Sequence, residues 1–254
     1  MALFKGKKKA NRRNEKVRTW RVPVREIVLV TVFIGALTLL SWGGMRVMDP
    51  RVMPVKYVEV SGELHHVTAA QIRDKVKRVL EGNFFTANTA AIRRAVTALP
   101  WVMSASVNRV WPDTLSLSVV EQHPVARWGE DAMVNMAGEV FHAEMGDTEK
   151  ALPVLQGPAD DALAVVRHYE TAIADLGKLN VAVQRLSLDE RHAWRVNLNN
   201  GVSLVLGRQE YDKRLARFSD VYARVLEPRA DHIDSVDMRY SNGFAVRWRS
   251  SPSA

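Results

Sequence analysis

The chain has 254 residues, with 36 Lys and Arg against 28 Asp and Glu and no cysteine. Without cysteine it has no disulfide framework and no thiolate metal centre. The formal charge of +8 invites a nucleic-acid reading, but residues 1–26 hold ten basic residues against Glu15 and Glu26, and ten minus two already equals the whole excess. From Ile27 onward the chain is neutral, so no basic nucleic-acid surface is expected outside this short tail.

Residues 27–45, IVLVTVFIGALTLLSWGGM, carry no charge. At about 1.5 Å per residue this run just crosses a ~30 Å hydrocarbon core. Trp42 sits near its distal end, where an amphipathic ring prefers the interface, and Gly43-Gly44 are expected to weaken the helix there. A cleaved signal peptide would show a shorter apolar region and a small-residue cleavage site, and neither is present. The run is therefore read as a retained single span. The basic tail predicts a cytoplasmic N-terminus, with the bulk of the chain on the other side, and the tail itself can meet anionic headgroups.

Residues 55–123 read as a small α+β unit. Val55–Val60 is a strand candidate ended by Ser61-Gly62. Thr68 can cap a helix from Ala69 to about Leu80, with Ile72, Val76 and Val79 on one face. Gly82-Asn83 stops it, and Phe84-Phe85 more often fill a core than form a binding pair. Asn88 or Thr89 can cap a second helix from Ala90 to Leu99, ended by Pro100. Val102–Arg109 and Thr114–Glu121 alternate as half-buried strands around the turn Trp111-Pro112-Asp113, with Trp111 expected to cover the hairpin end. The order is β-α-α-β-β.

Residues 124–254 read as a mostly antiparallel β-domain with two helices. Strands are expected at Pro124–Trp128, Ala132–Asn135 and Glu139–Phe141, with Pro153–Leu155 as an irregular link. A helix starts at Asp160 or Asp161 and runs to Leu176, burying Val165, Val166, Tyr169, Ile173 and Leu176. Strands follow at Val183–Asp189, Ala193–Leu198 and Ser203–Leu206, with Asn199-Asn200-Gly201 as a hairpin signal. A second helix, Glu210–Leu226, should bury Leu215, Phe218, Val221, Tyr222 and Val225 and end at Pro228. The last strands are Ile233–Arg239 and Phe244–Arg249. The final one, with Arg247 and Arg249, is expected at a sheet edge. Such an edge is either self-guarded by its charges or open to an incoming strand.

Catalytic patterns are lacking. None of the seven histidines forms HExxH or an H-x-x-x-H pair, and no G-x-S-x-G occurs. Asp189-Glu190-Arg191-His192 reads as a turn with ion pairs. The expectation is a protein that is not an enzyme and uses no cofactor or metal.

In order along the chain stand Val58-Glu59-Val60-Ser61-Gly62, Gly82-Asn83-Phe84-Phe85, Leu99-Pro100-Trp101-Val102 and Val107-Asn108-Arg109-Val110-Trp111-Pro112. They are followed by Val119-Val120-Glu121-Gln122-His123-Pro124-Val125-Ala126-Arg127-Trp128, Leu206-Gly207-Arg208 and Asp237-Met238-Arg239-Tyr240. With these the chain resembles the FtsQ/DivIB family of bacterial cell-division proteins in its Gram-negative form. The resemblance implies a cytoplasmic tail at 1–26, an inner-membrane span at 27–45, a periplasmic POTRA domain at 55–123 and a family-type β-domain at 124–254. It further implies a divisome scaffold at the septum that binds FtsB and FtsL through the β-domain, with FtsK, FtsW and FtsI as further partners. The family contact maps onto Tyr240, Asn242, Gly243, Phe244 and Trp248, with Arg191 as the best match for a contributing arginine. A POTRA protein of membrane-protein assembly or secretion is the competing reading; it would carry repeated POTRA units or a barrel.

Overall fold

A computed structural model describes residues 24–48 and 51–249. The expectations for the basic tail fall almost wholly outside the described residues. The apolar run is one helix, α1 (Val24–Met48), which extends three residues beyond the run at each end. Gly43-Gly44 do not break it. It is long and apolar enough to cross a membrane, and its two threonines donate their hydroxyls back to Ile27 O and Ile34 O, which satisfies those two polar groups within the helix. Arg46 lies 5.3 Å from the Trp42 ring, a pairing suited to the headgroup layer.

The first domain comprises β1 (Tyr57–Ser61), α2 (Ala69–Val79), α3 (Thr89–Thr97), β2 (Val102–Val110) and β3 (Thr114–Glu121). The sheet order is β1-β3-β2, with β1 parallel and β2 antiparallel to β3. Thr68 and Gln71 form a reciprocal capping box on α2, and Asn88 caps α3 through Ala91 N–H. Ile72, Val76, Ile92 and Val96 are fully buried against Leu115, Leu117 and Val119. Gly62 is required where it stands: its φ is +138°, and a Cβ would lie 2.1 Å from Val119 O.

Two aromatic expectations change here. Phe84 fills the core, but Phe85 is about half exposed. Trp111 does not cover the hairpin end. Lys56 and Tyr57 N–H donate to Asp113 O, so β1 backbone closes the tip and the indole stays 74% exposed.

The second domain is built on a nine-stranded sheet of order β12-β11-β10-β9-β8-β7-β4-β5-β6. Its strands are β4 (Pro124–Trp128), β5 (Ala132–Asn135), β6 (Val140–Phe141), β7 (Val154–Gln156), β8 (Val183–Leu188), β9 (Trp194–Leu198), β10 (Ser203–Gly207), β11 (Ile233–Asp237) and β12 (Ala245–Trp248). Its helices are the short α4 (Asp147–Lys150), α5 (Ala162–Leu176) and α6 (Tyr211–Val221). Most pairs are antiparallel, but β4–β7, β7–β8 and β10–β11 are parallel. For β7–β8 and β10–β11 the reason is topological. The α5 and α6 helices each sit in a strand–helix–strand crossover, which returns its second strand parallel to the first. Leu155, Leu186, Val196, Leu204 and Val236 form one row across the sheet, fully buried in the same core cluster as Val165, Val166, Tyr169, Leu215 and Phe218 of the helices.

Four local expectations are overturned. Pro153–Leu155 is not a link. Val154 opens β7, an interior strand too short to show alternation. The α5 helix buries Ala172 where Ile173 was expected, and Ile173 is half exposed. After Val221 the α6 helix widens into a π turn (Tyr222–Leu226) and then a 3₁₀ turn (Glu227–His232) that carries Pro228 near its start. Pro228 therefore does not end the helical segment. The inward face continues at four-residue steps from Phe218 through Tyr222, Leu226 and Ala230, so Leu226 is buried and Val225 exposed.

The domains share a boundary. Met133 and Phe141 of the second domain pack into the first domain's core cluster, Phe141 edge-on to Trp101 at 5.7 Å. His66 stacks on Trp101 at 3.6 Å. Its Nδ1 lies 3.3 Å from Glu121 of β3, and its Nε2 lies 3.4 Å from Glu149 of α4.

Candidate protein-binding edge

β12 is the terminal strand of the sheet and pairs on one side only, with β11. A strand so placed presents a row of unpaired N–H and C=O groups on its outer side. Its alternation sets the side chains: Phe244 and Val246 turn in and pack against the core, while Ala245 and Arg247 face out. The edge is lightly guarded. Arg247 reaches Asp234 at 3.9 Å in an exposed pair worth well under about 1 kcal/mol. Arg249 is occupied with Asp231 O and Asn200 O, which hold the strand's end down.

The loop before β12 is shaped by a residue the sequence reading did not single out. Arg217 of α6 donates from Nη2 to Met238 O and Tyr240 O and from Nη1 to Ser241 O, each at 2.8 Å. One planar guanidinium thus gathers three carbonyls through two nitrogens, a fork that the single ammonium nitrogen of lysine does not reproduce. No local pattern marks it, because the contact joins α6 to a loop more than twenty residues away. Held this way, Tyr240, Asn242, Gly243 and Phe244 line a shallow hollow of ≈ 410 Å³. Tyr240 is 57% exposed and Trp248 48% exposed. They stand at opposite ends of the edge, with the main chain of β12 between them.

Arg191 comes to the same end of the sheet as Tyr240. Trp194 pairs with Gly207, Val205 with Asp237, and Asp237 with Ala245, so the β8–β9 turn, the end of β10 and the β11–β12 loop lie side by side. Asp189 builds the turn that carries Arg191 by accepting from Arg191 and Ala193 N–H at 2.9 and 2.8 Å. Gly207, at φ +74°, lets β10 end there, since a Cβ would press Arg214 and Arg239 at 3.0 Å. The result is a groove of ≈ 780 Å³ lined by Arg191, Arg208, Arg214 and Arg239 with Asp189 as its acid. Arg239 binds Asp237 through two nitrogens and, foremost among the causes, holds that carboxyl below its ordinary range. The edge therefore has three parts: an open strand, an aromatic at each end and a cationic groove beside the loop. The set suits an extended segment bearing acidic side chains. Among the described residues, no group of three or more His, Asp and Glu is placed to hold a metal ion.

Residues 53–122 match the family model for the FtsQ-type POTRA domain, and residues 126–239 match that for the C-terminal region of the cell division protein FtsQ/DivIB. Similar proteins include the cell division protein FtsQ of Coxiella burnetii, 30% identical over 241 residues that cover 94% of this chain and 99% of that one. The FtsQ of Allochromatium vinosum is 36% identical, covering 85% and 88%. That of Nitrosospira multiformis is 38% identical, covering 77% and 84%.

Proposed function

The chain belongs to the FtsQ/DivIB family of cell-division proteins, and from that premise we propose that it is a membrane-anchored divisome scaffold whose second domain takes up FtsB and FtsL by strand addition at β12. The observation that carries the reading is the unpaired outer side of β12, flanked by Tyr240 and Trp248. Main-chain pairing supplies affinity with little demand on sequence. The two aromatics supply anchors, and the arginine groove at Arg191 and Arg239 selects an acidic segment. The scaffold works through binding, not catalysis, and links early division proteins to septal wall synthesis. The +8 tail orients it with both domains in the periplasm, at the septum.

A titration of the full protein with the periplasmic part of FtsB tests this. Tyr240→Ala and Trp248→Ala should each weaken binding by about 2 kcal/mol, roughly thirtyfold. Far-UV circular dichroism should stay unchanged, because both rings are about half exposed. Undiminished affinity in both variants would refute the assignment.

A further inference from the structure

The end of the first domain nearest α1 carries an unusual surface. Trp111, the most exposed tryptophan of the described residues, stands at the β2–β3 tip, and Val110 beside it is about half exposed. Tyr57 joins them, because Lys56 and Tyr57 both donate to Asp113 O at that tip. Phe85 belongs to the same end. Arg109 of β2 donates to Phe84 O at 2.8 Å and Ala87 O at 2.6 Å, and Asn83 Oδ1 accepts from Phe85 N–H, fixing that ring outward. Single exposed apolar residues are ordinary, but several large ones gathered on a small domain mark a surface that meets something.

The covalent chain says what lies opposite. Phe84 N–H donates to Met53 O at 3.0 Å, so the chain is already on the domain at residue 53. The α1 helix runs to Met48. Five peptide units cannot span more than about 18 Å, so this end of the domain stays beside the point where α1 leaves the lipid. The exposed side chains are Trp, Tyr, Phe and Val, the set that favours the layer between hydrocarbon and water. Of the charges at this tip, Arg109 is engaged with carbonyls and Lys56 with Asp113 at 3.0 Å.

We propose that the β2–β3 tip at Trp111, with Tyr57 and Phe85 beside it, rests in the headgroup layer of the bilayer that holds α1. Lipid then sets the tilt of the first domain, and through the shared boundary it sets the direction in which β12 faces. The inference rests on α1 being a membrane span.

The absence of cysteine makes a single introduced thiol unique. The full chain, reconstituted in nanodiscs of zwitterionic lipid, is labelled with an environment-sensitive fluorophore at one of three positions: Val110→Cys at the tip, Trp42→Cys on α1, or Arg224→Cys on the second domain. Nitroxide-headgroup lipid serves as quencher. The tip label should be quenched far more than the Arg224 position. Trp111→Ser combined with Tyr57→Ser should abolish that quenching while the circular dichroism stays native. A tip label no more quenched than position 224, with position 42 quenched, overturns the proposal. So does a tip label that is free in lipid-only discs but shielded in native membranes, which would assign the surface to a protein. An unquenched label at position 42 removes the span itself and the proposal with it.

Discussion

Arg217→Ala should free the loop that precedes β12 while leaving the sheet intact. The side chain makes three charged hydrogen bonds to that loop, and such bonds contribute about 1.5–3 kcal/mol each when their acceptors stay dry. Two of these acceptors, the carbonyls of Tyr240 and Ser241, are exposed and regain water on release, so they return little. The carbonyl of Met238 is partly buried and bears most of the loss. One term opposes it: Arg217 Nε is buried without a partner, and removing it relieves that cost. The balance is about 2 kcal/mol, felt as loop order and not as global unfolding. If strand addition needs the loop in place, affinity for the incoming segment falls by roughly thirtyfold. Arg217→Lys should recover only part, since an ammonium cannot serve three carbonyls in one plane. Amide hydrogen exchange reads the loop directly. Met238 N–H, which donates to Val205 O, and Arg239 N–H, which donates to Asp237, should exchange faster, while β8 to β10 keep their protection. Unchanged exchange from Met238 to Phe244 in Arg217→Ala would refute the reasoning, whatever happened to binding.

Leu226→Ala should cost about 2–5 kcal/mol in chemical denaturation, and Val225→Ala less than about 0.5, because Leu226 continues the buried row of Phe218 and Tyr222 while Val225 faces solvent; equal costs would mean that Val225 shares the buried face. The carboxylates at the domain boundary predict an acid limb. Burial opposes ionisation of Glu121, yet the backbone N–H groups of His65, Val67 and His66 together hold its carboxyl below the usual range. Glu149 is lowered first by its own backbone N–H and further by His66. Depressed carboxylates contribute stability that is complete above the unfolded value near pH 4.3 and drains as pH falls through the lower folded values. Thermal melts should therefore fall steeply below about pH 4, and Glu121→Gln should start lower and show a shallower limb; an identical limb would count against the assignment. His66→Phe keeps a ring on Trp101 and the backbone N–H to Glu121 but removes the two imidazole contacts to the carboxylates. Spin labels placed one in each domain should then report a broader distance distribution.

The legible parts of this chain are those that neighbouring residues decide. Nineteen uncharged residues mark the span. Thr68 with Gln71 starts α2, Asn88 starts α3, and alternation marks the β2–β3 hairpin. Each is a short-range matter of capping, periodicity or solvation. The reading of the last strand as an edge held, as did the motifs that mark the family. The parallel pairs of β7 went unread because it is three residues long and looks like a loop until β8 and β4 close on both sides; for β10–β11 the signal, a helix between two strands, was present and passed over. The burial of Leu226 over Val225 depended on whether Val221 or Tyr222 turns fully inward, and packing chose Tyr222. The role of Arg217 depends on where α6 packs beside the β11–β12 loop, and the grouping of Arg191 with Arg239 depends on strand order: residues tens of positions apart meet because β9, β10 and β11 end together. The sequence by itself determined the anchor, the two domains and most of their elements. Only the tertiary structure decided which side of β12 stays unpaired and what holds its loop, since those depend on which apolar faces bury one another across the whole sheet.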